Sequence, residues 1–470
     1  MLKEITKKQF DAYCYVRQPL VRAYTEEVAW FEAKDRKLLA FIIFDRTDSD
    51  FGYIILGRDT RNLFRCISVS TEFSSTPKGA FQNLEIAIDK YLKDGLDCYP
   101  QGDETEPPYE IFNPIVTEDK QHPYFKTLVS EKRFEAARNL IREIAYSFVD
   151  VDGNYIQQFQ STGFDARLWE LYLYVYLYNS GFELNYEFQS PDYYINRFGY
   201  ECTIEAVTVG ANPKFDAPNA IEPKDIVELS KDYLPIKYGS ALYSKLNKKP
   251  PYWELEHVKE KPFILAIHDY HKPADMNMPG SMTWTRAGLS NYLYGIRDEV
   301  TVDENGHVKP TFLAPCIEPT IKTVKTTQHS YKHKTIPSRF FWLPDSEHIS
   351  AVLYSNAATI TTFNRMGKLA GLGSKDIKMI RQGMKANPDP KAFLPTPFVA
   401  DVDDPSYEET WSDSLVMYHN PNALYPVDPD AFPDISHINY DQENDEFMSI
   451  SNPNEVFTSV TMVIEPKDEV

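Results

Sequence analysis

The chain has 470 residues, of which 42% are hydrophobic and 25% charged, so its composition predicts two or three globular domains and excludes an extensively disordered protein. The formal net charge of −20 excludes a protein that coats nucleic acid with a general basic surface, although it leaves room for a local basic groove. No apolar run is long enough to span a membrane, no apolar signal segment opens the sequence, and five cysteines without paired spacing indicate reduced thiols. We therefore expect a cytoplasmic protein.

The first 125 residues predict a β-rich α/β module. Four strands separated by turn-forming residues are predicted at 27–33, 38–46, 51–59 and 64–70. A helix is predicted from Pro77 to a terminating Gly95. A polar, proline-rich segment at 100–114 predicts a linker to the next domain.

Residues 126–370 alternate between helical and strand patterns, which predicts an α/β domain with a central mixed sheet flanked by helices. Helices are predicted at 130–148, 164–181, 238–249 and 281–295. Strands are predicted at 183–188, at 261–271, at 348–355, and in a hairpin that begins near 192 and turns at 197–199. Beyond 371, acidic runs and nine prolines between 386 and 435 predict an irregular C-terminal extension that wraps the core.

The hairpin carries two carboxylates whose spacing suggests a shared ion. With a turn at 197–199, position 192 pairs with about 203, so Asp192 and Glu205 are predicted to be neighbours on adjoining strands. Glu205 lies within the apolar run "TIEAVTV", where an isolated carboxylate is costly unless it is paired or binds a cation. The alternative for Asp192 is an ordinary turn residue after Pro191. Mg²⁺ or Mn²⁺ held by these two side chains is the sharper interpretation.

Glu170 adds a third carboxylate, on the predicted helix 164–181. It shares a helix face with Leu173, Tyr174 and Leu177, so its charge falls on an apolar stripe. Proximity to a metal would explain it, and so would a salt bridge to Arg167 three residues earlier.

The order of these elements resembles the core of the PD-(D/E)XK, or restriction-endonuclease-like, nuclease superfamily. The resemblance rests on a helix with a glutamate, a strand, a hairpin with Asp192 and then Glu205, a further helix and a buried strand. It implies a restriction-endonuclease-like fold for 126–370, with Asp192 and Glu205 as metal ligands and Glu170 as a third, supporting residue of the metal site. It also implies Mg²⁺- or Mn²⁺-dependent hydrolysis of nucleic acid, DNA more than RNA, in prokaryotic restriction or antiviral defence.

The sequence departs from the family pattern at Val207, where such enzymes usually keep a lysine. In some members of the family the lysine lies on a neighbouring helix, and here the predicted helix 238–249 carries Lys245 on its semi-apolar face. Lys245 is therefore the predicted catalytic lysine, with Lys248 in reserve. Surface lysines without a role are the alternative.

Two other functions remain open. A nuclease-like scaffold or nucleic-acid-sensing subunit without catalysis would account for Val207 and the acidic charge. A hydrolase centred on His268 and His271, which come directly after the buried apolar opening of the segment 261–271, is the third hypothesis. Expected partners are nucleic acid, a second copy of the chain or another defence protein, but no membrane.

Overall fold

The computed structural model describes residues 2–210, 229–270, 282–283, 286–299, 322–389, 395–444 and 446–466. Within these ranges the chain is a mixed α/β protein with several sheets. Predicted residue His271 lies outside the described residues. No helix within the described ranges is both long and apolar enough to cross a membrane.

The N-terminal region is built on a five-stranded antiparallel sheet with its strands in chain order. The strands are β1 (Lys3–Ile5), β2 (Thr25–Ala33), β3 (Leu38–Asp45), β4 (Asp50–Arg58) and β5 (Phe64–Val69). Its helices are α1 (Lys7–Asp11), α2 (Pro19–Tyr24) and α3 (Pro77–Asp94). The predicted end of the third helix is confirmed, because Gly95 takes the left-handed conformation at φ 69° that glycine tolerates best.

A layer of helices follows, and its last member is almost wholly buried. These helices are α4 (Pro123–Ser130), α5 (Glu135–Ser147), α6 (Tyr155–Gln160) and α7 (Phe164–Asn179). The predicted helix 130–148 starts too early, since Ser130 is the last residue of α4 and α5 begins only at Glu135, after a 3₁₀ turn. Every α7 residue from Leu168 to Tyr178 is buried, which fits its nearly uninterrupted apolar and aromatic sequence.

The centre of the molecule is an eight-stranded mixed sheet in the order β19-β18-β17-β14-β9-β8-β7-β6. Its strands are β6 (Glu183–Asn185), β7 (Tyr193–Arg197), β8 (Tyr200–Val209), β9 (Phe263–Asp269), β14 (Ala351–Ser355), β17 (Val416–His419), β18 (Ser436–Asp441) and β19 (Glu446–Ile450). Strand β7 pairs antiparallel with both β6 and β8, whereas β8, β9 and β14 run parallel. The central mixed sheet expected from the sequence is therefore present.

Helices cover both faces of this sheet. The remaining helices are α8 (Tyr233–Leu246), α9 (Arg286–Tyr294) and α10 (Ile360–Leu369). Cys202 and Ile204 of β8 pack into the core that contains α5, α7 and α10. Val207 of the same strand packs with Leu242 of α8 in a second core, so alternate β8 side chains point to opposite helical layers.

The hairpin that carries the two carboxylates turns later than predicted. Phe198 and Gly199 form a two-residue turn with φ 51° and 87°, and Arg197 pairs with Tyr200. Tyr193 consequently pairs with Ile204, so position 192 faces 205 and not the predicted 203. The corrected register places Asp192, just before β7, beside the part of β8 that carries Glu205 and Ala206.

The prediction of an irregular C-terminal extension is wrong. Besides β17, β18 and β19 of the central sheet, this region forms a separate three-stranded sheet from β15 (Lys378–Lys385), β16 (Thr396–Asp401) and β20 (Val456–Ile464). Pro397 lies in β16, an edge strand where a missing N–H is tolerated. Two further two-stranded sheets come from β10 (Ile296–Glu299) with β11 (Lys322–Lys325), and from β12 (Gln328–Tyr331) with β13 (Lys334–Pro337).

Candidate functional site: a carboxylate site beside helix α8

Asp192 and Glu205 meet at the start of β7, next to the middle of β8. Asp192 Oδ2 accepts a hydrogen bond of 2.7 Å from the backbone N–H of Ala206, which ties the Asp192 side chain to the neighbouring strand. Solvent reaches the Asp192 side chain, whereas Glu205 is only 6% exposed. Asp192 and Glu205 therefore form a pair of one accessible and one buried carboxylate, which a cation can reach from solvent.

Lys245 reaches this pair from α8. Its Nζ lies 2.5 Å from Glu205 Oε1, and its side chain is 30% exposed. The side chains at the odd-numbered positions of β8 point toward α8. The helix therefore places the Lys245 ammonium beside Glu205, although Val207 occupies the strand position where the nuclease superfamily usually has a lysine. The structure thus brings together Asp192, Glu205 and Lys245, three of the four predicted site residues.

Glu170 approaches from the other helical layer, on α7. Arg167 Nη1 donates to both of its carboxylate oxygens, at 2.9 and 2.7 Å, so the salt bridge considered as an alternative is present. Glu170 is nevertheless 8% exposed, and its charge acts on both Asp192 and Glu205. It belongs to the same electrostatic group without contacting the other carboxylates directly. We call Glu170, Asp192, Glu205 and Lys245 the carboxylate site.

The acids of the carboxylate site repel one another. Burial raises the pKa of Glu170 to about 7, and Glu205 adds to the rise while Arg167 opposes it. The pKa of Asp192 is also raised. The main cause is the desolvation of its carboxylate by the surrounding protein, although solvent reaches part of the side chain, and the charges of Glu205 and Glu170 add to it. Perturbed acids of this kind are typical of binding and catalytic sites.

Tyr252 is a site residue that the sequence analysis missed. It is 1% exposed, and its hydroxyl forms no hydrogen bond of standard geometry with any described residue, although it faces Glu205 and Ser190. Burial and the charge of Glu205 raise the pKa of Tyr252. The hydroxyl therefore stays protonated and can donate a hydrogen bond to an anion. No periodic pattern marks Tyr252 in "KKPPYWELE", since it follows the end of α8 in a short 3₁₀ turn.

Lys248 also lies at this edge of the site, but not on the helix as predicted. Helix α8 ends at Leu246, and Lys248 follows it. Its Nζ donates to Ser190 Oγ at 2.9 Å and stands 4.0 Å from the centroid of the Tyr252 ring. Two ammonium groups, from Lys245 and Lys248, therefore flank the segment that carries Asp192.

The same segment is anchored by an aromatic stack. His257 Nε2 is 2.9 Å from the carbonyl oxygen of Ser190, and its ring lies parallel to Phe188 with centroids 3.8 Å apart. These contacts hold the backbone immediately before Asp192. Such supporting contacts reduce the freedom of a site carboxylate before any ligand binds.

The donor set fits a hard divalent cation, with Asp192 and Glu205 as ligands. Mg²⁺ in proteins uses one or two carboxylates and keeps several waters, and the mutual repulsion of the two acids would be relieved by a cation between them. Glu170 is committed to Arg167, so it supports the charge of the site and does not act as a ligand in this arrangement. Over the described ranges no group of three or more His, Cys, Asp or Glu side chains is arranged to hold a metal.

His268, proposed for an alternative hydrolase, lies in the interior of the sheet. It is fully buried in β9, its Nε2 accepts the backbone N–H of Ala358 at 2.8 Å, and its ring packs against Tyr270 and Trp169. Burial lowers its pKa to about 3, so the ring is neutral at physiological pH. The geometry makes His268 a core residue and removes the basis for placing it at a solvent-facing strand end.

Comparisons with known proteins identify no relative. No protein-family model, no curated protein and no solved structure matches the chain. The functional conclusion therefore depends on the geometry and chemistry of the carboxylate site.

Proposed function

We propose that the protein is a metal-dependent nuclease that hydrolyses phosphodiester bonds at the carboxylate site. The observation that carries this proposal is the convergence of Asp192, Glu205 and the Lys245 ammonium, with Nζ at 2.5 Å from Glu205 Oε1. The order α7, β6, β7, β8, α8, β9 supports the resemblance to the PD-(D/E)XK core, since the first three strands are antiparallel and the last pair is parallel. DNA is the preferred substrate class in the proposal, with restriction or antiviral defence as its setting.

Each side chain has a defined role in the proposed reaction. Asp192 and Glu205 would hold Mg²⁺ or Mn²⁺, which would polarise a phosphate and lower the pKa of a bound water so that it supplies the nucleophile. Lys245 provides a positive charge beside Glu205, where it stabilises the negative charge that develops on the phosphate. Tyr252, whose protonated hydroxyl faces Glu205 and Ser190, is placed to donate a hydrogen bond to a phosphate oxygen or to the attacking water.

The test is cleavage of supercoiled plasmid, single-stranded DNA and RNA with Mg²⁺ or Mn²⁺. We expect Asp192→Asn, Glu205→Gln and Lys245→Met each to lower the cleavage rate by at least about 100-fold, because each removes a charge from the reacting centre. Glu201→Gln is the matched control, since Glu201 lies on the same face of β8 and pairs with Lys261 at 3.4 Å. Cleavage that survives in the Asp192→Asn and Glu205→Gln proteins would show that the reaction occurs elsewhere.

A catalytically inactive scaffold or nucleic-acid sensor is the second candidate. It is favoured by the partners that the two carboxylates already have, because Lys245 and the Ala206 N–H satisfy one oxygen of each without a metal. Calorimetric titration with Mn²⁺ separates the candidates. Binding at millimolar concentration or below that disappears in Asp192→Asn supports the nuclease, and nucleic-acid binding without metal binding or cleavage supports the scaffold.

A further inference from the structure

A hairpin without acidic residues packs on α8, the helix that carries Lys245. The sequence from 319 to 344 has five Lys or Arg residues and no Asp or Glu, although the whole chain has 69 acidic and 49 basic residues. Within this segment β12 and β13 pair around a tight turn, and both contact α8. We call β12 and β13 the basic hairpin. In a chain of net charge −20, such a segment is where an anionic ligand can approach.

Close packing fixes the basic hairpin on the helix. Ile336 of β13 lies over Gly239 of α8, where an added Cβ atom would be 2.4 Å from the Ile336 Cδ1 atom. Tyr331 of β12 meets Tyr233 at the start of α8 edge to face, with ring centroids 5.1 Å apart. These contacts determine where Lys334, the first residue of β13, meets the helix.

Two lysines from the helix and the hairpin meet at one point. Lys237 of α8 and Lys334 line the same cavity, of about 370 Å³, at the end of β8. Lys334 Nζ donates a hydrogen bond to the hydroxyl of Ser240, which lies one turn after Lys237 on α8. Both lysines are half-buried, and neither forms an ion pair with a described residue. We call Lys237 and Lys334 the lysine pair.

The lysine pair has more positive charge than its surroundings neutralise. Burial lowers the pKa of Lys237, the charge of Asp269 opposes this change, and the charge of Lys334 lowers the pKa further. Asp269 is 1% exposed and already accepts hydrogen bonds from the hydroxyls of Tyr238 and Thr283, at 3.2 and 3.0 Å. An anion held between the two ammonium groups would offset their repulsion.

The lysine pair lies along the same helix and strand as the carboxylate site. Lys237 precedes Lys245 by eight residues of α8, which is about 12 Å at about 1.5 Å per residue. The cavity begins at Thr208 of β8, three residues after Glu205, which is about 10 Å at about 3.3 Å per residue. A duplex strand has one phosphate per about 3.4 Å of helix axis, so this separation corresponds to about three nucleotides.

We propose that the lysine pair binds a backbone phosphate of a DNA strand about three nucleotides from the phosphodiester at the carboxylate site. The choice of DNA as the ligand rests on the proposed nuclease function. Ammonium groups bind phosphate as point charges, so they add affinity and fix the position of the strand without reading its sequence. Lys237 and Lys334 are therefore positioning residues and do not touch the reacting atoms.

The experiment is fluorescence anisotropy of the full chain with a labelled DNA duplex of about 20 base pairs, in EDTA and at about 50 to 200 mM salt. Lys237→Gln and Lys334→Gln should each weaken binding about three- to tenfold at the lowest salt and reduce the salt slope by about 1. Lys334→Arg should bind within about twofold of the unaltered protein, since it keeps the charge. The matched controls are Lys90→Gln and Lys93→Gln, exposed on α3, which should leave binding unchanged.

Cleavage of the same duplex with Mg²⁺ separates this inference from the proposed function. The double variant Lys237→Gln, Lys334→Gln should raise KM by about tenfold or more and keep kcat within about twofold, whereas Asp192→Asn should lose cleavage and keep binding in EDTA. Weaker binding in the lysine variants, with no Mg²⁺-dependent cleavage by any protein, would refute hydrolysis and support the lysine pair.

Three results would overturn the lysine pair as a DNA site. The first is unchanged DNA binding in both glutamine variants, whatever their cleavage rate. The second is the absence of duplex binding by the unaltered protein at about 50 mM salt. The third is binding of inorganic phosphate as tight as that of the duplex, which would indicate a site for a free anion.

Discussion

Two ionic groups inside this protein have opposite charge balances. In the first, which we call the arginine cluster, Glu409 receives hydrogen bonds from Arg365 at 2.7 and 2.8 Å, lies 3.1 Å from Arg381, and accepts the Tyr407 hydroxyl at 2.7 Å. In the carboxylate site, three acids share Arg167 and Lys245. One group has more cations than acids, and the other has more acids than cations.

The pKa values express this difference. Burial alone would raise the pKa of Glu409, but Arg365 and Arg381 together lower it to about 2. Burial raises the pKa of Glu170 to about 7 because its single arginine does not offset burial and the nearby acids. The charge of Glu409 is thus fully compensated by its arginines, whereas the acids of the carboxylate site lack enough cations, and a bound cation would supply the missing positive charge.

The largest expected effect is the loss of the arginine cluster. Arg365→Met should lower the free energy of unfolding by about 3–5 kcal/mol, because it leaves the Glu409 carboxylate buried with an incomplete set of partners. Urea denaturation measures this directly. Glu131→Gln is the control, since it breaks an ion pair with Arg133 whose side chains are 36% and 37% exposed, and should cost at most about 1 kcal/mol. Equal costs in the two variants would show that the buried arginine cluster contributes no more to stability than an exposed ion pair.

A change of pH is expected to have a smaller effect on the free energy of unfolding, and the effect has opposite signs for Glu170 and for Glu409. The pKa of Glu170 in the folded protein lies above its value in the unfolded chain. Ionisation of Glu170 therefore destabilises the folded state as the pH rises from about 4.5 through 7. In EDTA, Glu170→Gln should therefore gain about 1–3 kcal/mol relative to the unaltered protein between pH 5 and pH 8. Urea denaturation at each pH provides the values.

Glu409→Gln is the counterpart of this measurement. The folded pKa of Glu409 lies below its unfolded value, so its contribution is complete above about 4.5 and is lost as the pH falls toward 2. Glu409→Gln should therefore have a lower free energy of unfolding than the unaltered protein at neutral pH. This difference should become smaller as the pH is lowered, over the range in which the protein stays folded. Parallel pH slopes for the two variants would show that both groups have the same charge balance.

The smallest effect is expected from metal addition. At ten times its dissociation constant, Mg²⁺ should stabilise the unaltered protein by about 1.4 kcal/mol, because it binds the folded state alone. This corresponds to a rise in melting temperature on the order of 1 °C, measurable by differential scanning calorimetry. The double variant Asp192→Asn, Glu205→Gln should show no rise, while Arg365→Met should keep it. An identical rise in the double variant would place the metal elsewhere.

The positions and types of the acidic site residues could be predicted from the sequence. Asp192 and Glu205 flank a recognisable hairpin, and Glu205 is conspicuous in an apolar run. The helix that carries Lys245 was predicted too, although it begins at Tyr233 and ends before Lys248. Whether these residues perform hydrolysis stays a prediction.

Other features depended on long-range contacts that no local pattern encodes. Tyr252 enters the site because the turn after α8 packs its ring on Phe263 of β9, with centroids 5.0 Å apart. The C-terminal strands were missed because β17 has only four residues and is stabilised by pairing with β14 and β18, while prolines between the strands suggested irregularity. Strands this short form only through hydrogen bonding to neighbouring strands of the sheet.

The amino-acid sequence by itself determined the local patterns: the buried helix α7, the hairpin and the two carboxylates placed on it, because periodicity and turn chemistry act over a few residues. Tertiary structure alone decided the strand register that brings 192 beside 205, the contact of Lys245 with Glu205 and the position of Tyr252 next to Glu205. These depend on how α8 packs across the sheet, and that packing is set by the apolar surfaces of the whole molecule.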